Sequence, residues 1–253
     1  MNQGKEALEA RKAWRGWAFS ISFLVGMMGM KVAEDLEYAQ APVPEARTVY
    51  EGSLKDVPEN QKEAARIFYE LLRTHPHSEI REQLQSLIWR GEILVSFDSP
   101  PGSDETYAEA TVTYIQMPKG QQLTLFVSAK KLLQDPRMTR AMKQLIIYHE
   151  WIHAKALRAG HVPKWLVLPR DAAIPLTEEE LRLIFEFEFE AYLAECQLAE
   201  RINAVDHIPS YCPMFVKDGT RGLRRAILEH YYKFVPLYAP YVPFLTRVAE
   251  ENG

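Results

Sequence analysis

The sequence predicts an α+β fold: a small antiparallel or mixed sheet set beside a helix that bears histidines and a helix that bears glutamates. Three observations predict it. The apolar pattern changes period along the chain, helical over 61–89, alternating over much of 92–129 and helical again from 138. A short turn, Pro118-Lys-Gly-Gln121, joins two of the alternating stretches, which is the signature of an antiparallel hairpin. Capping signals then open two long helices, at Asp135-Pro136 and at Thr177-Glu-Glu-Glu180.

Each element has its own justification. Residues 1–40 form a separate segment: Lys5, Arg11, Lys12 and Arg15 precede an uncharged apolar run, Trp17–Met30. A basic stretch followed by an apolar one reads as an export signal or a membrane anchor. The run is shorter than the roughly 20 residues a membrane span needs. The small-x-small site Ala39-Gln-Ala41 stands before Pro42 and behind charged residues, a poor context for cleavage. The expectation is therefore a membrane-anchored or exported protein. Packing of the apolar run on the domain, in the cytoplasm, is the other reading. Residues 41–60 carry three prolines and no period, as a linker does.

The domain then runs from 61 to 253. Ala64, Ile67, Phe68, Leu71 and Leu72 have helical spacing, and a second helix is expected from Ser78 to about Trp89. Strands are expected over Glu92–Asp98, Glu109–Met117 and Gln122–Ala129. The first capped helix ends at Gly160 and the second near Ile202. A further helix is expected from Arg221 to Phe234.

Composition narrows the function. Net charge is −4, so no basic surface points to nucleic acid. The two cysteines, Cys196 and Cys212, lack the spacing of a cysteine zinc site. They either pair once or stay as two buried thiols.

The chemistry sits in His149-Glu150-Trp-Ile-His153. On a helix, positions i and i+4 share a face, so both imidazoles can reach one ion at the 2.0–2.1 Å or so that zinc requires. Glu150 is turned by about 100°, beside the ion rather than on it, where a carboxylate can take a proton from water. Both histidines lie in the core-facing stripe, where unpaired polar rings are costly. Zinc needs a third protein ligand. His161 is one candidate, but Ala156 and Ala159 stand where a metzincin has glycine and histidine. The other candidate is Glu188. It lies at the centre of the apolar stripe of the next helix, which Glu195 also interrupts. Glu186 and Glu190 fall off that stripe and read as solvated. His75, His77 and His207 have no metal-like company and read as surface or loop residues.

His149-Glu-x-x-His153 followed by Glu188-Phe-Glu-Ala191 resembles the gluzincin metallopeptidases, a group that includes thermolysin-like enzymes, zinc aminopeptidases and membrane CAAX-type endopeptidases. The resemblance covers about residues 120–203. It implies a zincin-like fold, one zinc ion per chain held by His149, His153 and Glu188, and Glu150 as general base. It also implies a peptide or protein substrate. The absence of a Gly-x-Met-Glu-Asn motif makes an aminopeptidase a poor fit. Tyr192 stands where the group often has an aspartate that orients a ligand histidine; Glu195, one turn on, can replace it. The strand Gln122–Ala129 would be the edge strand that pairs with substrate. His230, Tyr231 and Tyr232 are candidates for the donor to the oxyanion. The alternative function is a zinc-holding scaffold or binding module without catalysis.

Overall fold

The computed structural model describes residue 54 and residues 57–98, 109–117, 120–160, 175–208, 210–233 and 236–251. Within them the chain is a mixed α+β structure, mostly helical, with one three-stranded sheet. The N-terminal segment 1–40, most of the linker 41–60 and His161 lie outside the described residues. Among the described residues no helix is long and apolar enough to cross a membrane.

Helix α1 (Lys62–Arg73) buries Ala64, Ala65, Phe68, Leu71 and Leu72, the face its spacing predicts. Residues 78–89 are helical as expected, with a π-helical turn, Ile80–Leu84, that runs into α2 (Gln85–Trp89). The sheet holds β1 (Leu94–Ser96), β2 (Ala110–Met117) and β3 (Gly120–Val127) in the order β1-β3-β2. β2 and β3 form the expected antiparallel hairpin, with Val112 opposite Leu125 and Thr113 opposite Thr124.

β1 joins β3 in parallel, Leu94 opposite Thr124. This corrects the expectation for Gln122–Ala129: β3 is the central strand, paired on both sides, and has no edge to offer a substrate. Its burial agrees, because Leu123 to Val127 are all buried, as a strand covered on both faces requires. The outer strand next to the histidine helix is β2, and Tyr114 Oη donates to the Leu157 carbonyl there at 3.3 Å.

The histidine helix, α3 (Arg140–Arg158), starts later than Asp135-Pro136 suggests. Asp135 instead accepts from the Arg137 backbone N–H at 2.8 Å in a local turn. The cap is Thr139, in extended conformation, whose hydroxyl accepts from Met142 N–H at 3.2 Å. Gly160, at φ +69°, takes the left-handed conformation that ends the helix. Leu145, Ile147, Trp151 and Leu157 bury its core side.

α4 (Glu178–Arg201) packs along α3. Both halves of its expected capping box are present: Thr177 N–H to Glu180 at 2.6 Å and Glu180 N–H to the Thr177 hydroxyl at 3.2 Å. The last helices are α5 (Cys212–Ile227) and α6 (Val242–Glu251). α5 begins nine residues before the expected Arg221 because two helices meet at Gly219 (φ +62°, ψ −149°), a conformation that glycine allows. Cys196 and Cys212 form a disulfide between α4 and the start of α5, which settles their pairing.

Candidate metal centre

The i, i+4 spacing on α3 delivers what it promises. His149 Nε2 and His153 Nε2 stand 3.0 Å apart. α4 runs beside α3 and brings Glu188 Oε2 to 3.6 Å from the first nitrogen and 3.8 Å from the second. All three residues are buried, and together they form a group that could hold a metal ion. The donor set fits one. Ligand atoms at about 2.0–2.1 Å from a tetrahedral ion lie roughly 3.3–3.4 Å from each other, close to the triangle seen here. Two imidazole nitrogens that face each other at 3.0 Å can share one proton in a hydrogen bond, or both turn lone pairs to one ion.

Further atoms complete the site. His149 Nδ1 is 3.1 Å from Glu195 Oε2, so that carboxylate fixes the ring tautomer with Nε2 turned to the ion site. Glu150 Oε2 and His153 Nδ1 are buried and have no hydrogen-bond partner among the described residues. Phe187 stacks on the His153 ring, with centroids 4.0 Å apart. Tyr192 meets the His149 ring edge-on at 4.6 Å, and Tyr211 stacks on Tyr192 at 4.3 Å.

The electrostatics follow from burial. Burial pushes the Glu150 carboxyl up to about 7; His149 opposes the shift, Glu188 and Glu195 add to it, and a hydrogen bond from the Val112 backbone opposes it. Burial also disfavours a charged His149, but its hydrogen bonds to the Glu188 and Glu195 carboxylates outweigh it and hold that imidazole well above its ordinary range. Burial and the neighbouring His149 push His153 well below. Burial raises Glu188, against the pull of His149. Three carboxylates thus share one buried space with the two imidazoles, and His149, His153 and Glu188 form a group that could hold a metal ion.

The other candidates sort themselves. His230 is exposed. Tyr232 is buried and its hydroxyl donates to the Ile184 carbonyl at 3.2 Å, away from the site. Tyr231 is half-buried; burial first, then the Glu188 and Glu150 carboxylates, push its hydroxyl well above the ordinary tyrosine range. Of the two tyrosines, Tyr231 is the one whose hydroxyl has no hydrogen bond elsewhere among the described residues.

Two expectations need correction. His75 is not a surface or loop residue: it is 1% exposed, and its Nε2–H donates to the Gln144 carbonyl of α3 at 2.9 Å. A histidine can be core without company that looks metal-like, because the backbone satisfies it. Glu186 is not simply solvated either. It is half-buried and takes a two-pronged ion pair from the buried Arg224, at 2.9 and 2.6 Å. Off the metal stripe, it found a cation instead. Sequence reasoning missed Tyr192 and Tyr211 as wall residues. Tyr192 could have been read, one turn beyond Glu188 on the same stripe; Tyr211 lies on a different element, and no local signal marks it.

Compared with family models, with curated proteins and with solved structures, the chain matches none.

Proposed function

We propose that the protein is a zinc-dependent metallopeptidase. One observation carries the reading: two histidines and one glutamate converge in a buried triangle, and Glu150, next to His149 in the chain, keeps a buried carboxylate oxygen with no hydrogen-bond partner among the described residues. A structural metal site has no use for such a group. Two nitrogens and one oxygen are the donor set of a catalytic zinc site with one position left open. Thiolates do not compete, because both cysteines are in the disulfide.

Zinc held by His149, His153 and Glu188 supplies Lewis acidity, acidifying a water and polarising a carbonyl. The chain's own residues do the rest. Glu150 takes the proton of the attacking water and passes it to the leaving amine. Glu195 holds His149 in its ligating tautomer. Tyr231 donates a hydrogen bond to the oxygen on which negative charge develops. The substrate is a peptide or protein. The basic and apolar residues 1–30 and the disulfide together support an exported or membrane-held protein in an oxidising compartment.

The test uses the purified full chain. One zinc per chain by elemental analysis is expected, with peptide-library hydrolysis lost to a chelator and restored by zinc. Glu150→Gln should keep zinc and lower turnover by about 10²–10⁴-fold. Zinc retained with no hydrolysis by the wild type would instead point to a scaffold. Hydrolysis indifferent to chelator would end the proposal.

A further inference from the structure

The His149 imidazole is held from two sides, and both holds lead to one covalent link. Glu195 grips Nδ1 at 3.1 Å. Glu195 is followed directly by Cys196. On its other side the ring meets the Tyr192 edge, centroids 4.6 Å apart at 69°. Tyr192 is in turn backed by Tyr211, stacked at 4.3 Å and 29°. Tyr211 is followed directly by Cys212, and Cys212 is bonded to Cys196. The contacts therefore close a ring: His149, Glu195, Cys196, Cys212, Tyr211, Tyr192.

A disulfide can also be a general staple, and this one, between cysteines 16 positions apart, gains less from chain entropy than one closing a long loop. What it does fix is local. α5 starts at Tyr211 without a side-chain cap, so the bond at Cys212 anchors the very turn that carries the Tyr211 ring. Both cysteines are fully buried, so the link is kept from solvent.

We propose that the Cys196–Cys212 disulfide is a positioning element of the metal centre. Through Glu195 on one side and Tyr211 against Tyr192 on the other, it holds His149 in the ligating orientation and sets the affinity for the ion. The proposal rests on the reading of His149 as a zinc ligand.

The test measures zinc affinity by chelator competition on full-length protein whose folding is checked by circular dichroism, with cobalt(II) spectra reporting the ligand geometry. Glu195→Gln should weaken binding about 10–100-fold. The double variant Cys196→Ala/Cys212→Ala should weaken it about 10-fold and shift the cobalt bands, with a smaller effect when Glu195→Gln is already present, since the two act on one ring. Tyr211→Leu, which keeps the disulfide, should also weaken binding, and Tyr211→Phe should restore it, because the stack needs only the ring. A role in stability alone would lower the melting temperature and leave affinity and spectrum unchanged. Folded disulfide-free protein with wild-type affinity and spectrum overturns the proposal. If that variant does not fold, Tyr211→Leu with wild-type affinity overturns it. Wild type that binds no zinc removes the metal reading itself, a different failure from wild type and variants that bind equally.

Discussion

Two histidine pairs face opposite sides of α3, and what their ring nitrogens meet sets them apart. Behind the helix, His75 is fully used: Nε2 donates to the Gln144 carbonyl at 2.9 Å and Nδ1 accepts the His77 backbone N–H at 3.1 Å. His77 Nε2 meets the Tyr148 hydroxyl at 3.3 Å. The nearby carboxylate, Glu79, is used as well, by Trp151 Nε1–H at 3.0 Å and Lys155 at 2.8 Å. In front, His149 and His153 turn their Nε2 atoms toward each other, 3.0 Å apart, and toward Glu188 Oε2 at 3.6 and 3.8 Å. Burial alone does not separate the pairs, for His75 and His153 are both 1% exposed. Convergence of acceptors does. A buried histidine whose nitrogens point apart to backbone partners is packing; two whose nitrogens converge beside a carboxylate form a group that could hold a metal ion.

The largest expected effect breaks that comparison directly. His153→Ala should take the metal content from one ion per chain to none, whereas His75→Ala should leave it at one in whatever fraction remains folded. Elemental analysis of the two variants decides it, and loss of metal from the His75 variant alone would reverse the assignment of the two faces.

A smaller effect sharpens the front side. Tyr231→Phe should lower kcat by about 10²–10³-fold with zinc retained, the usual result of deleting one oxyanion donor. Tyr232→Phe breaks only a bond to the Ile184 carbonyl and should affect stability more than kcat. Equal kcat losses in both variants would mean that neither hydroxyl is singled out.

The smallest effect belongs to the back. Burial pushes His75 down to about 4 from its ordinary 6.5, so it stays neutral in the folded protein while the unfolded chain takes up a proton first. Its contribution to stability is present above pH 6.5 and is lost as pH falls toward 4, by up to about 3 kcal/mol. Urea denaturation at pH 7 and pH 4.5 should show this loss in the wild type and a smaller one in His75→Gln. The same loss in the variant would place the acid sensitivity elsewhere.

Much of the site was legible for a simple reason: its parts are periodic. His149, Glu150 and His153 are fixed by helix geometry within one turn, and Glu188 and Glu195 stood out as carboxylates on an apolar stripe. The hairpin and the α4 cap were readable for the same reason, being local. The parallel pairing of β1 with β3 was not, because a parallel neighbour is joined through distant chain and leaves no turn signal. The start of α3 was misplaced because Asp135-Pro136 carries a cap signal, and only the folded backbone shows that Asp135 closes a local turn on Arg137 while Thr139 caps the helix.

The sequence by itself determined the α+β composition, the spacing of the two histidines and their glutamate, and a short list of third ligands. Helical and strand periods are properties of neighbouring residues, so they need no fold to be read. Tertiary structure decided the rest: that Glu188 meets the histidines while Glu186 turns to Arg224, that Glu195 closes on His149 Nδ1, that Tyr211 reaches Tyr192, and that Cys196 finds Cys212. Each of those pairs lies on different helices. Their meeting depends on how α3, α4 and α5 pack, and no local pattern records the angle at which helices cross.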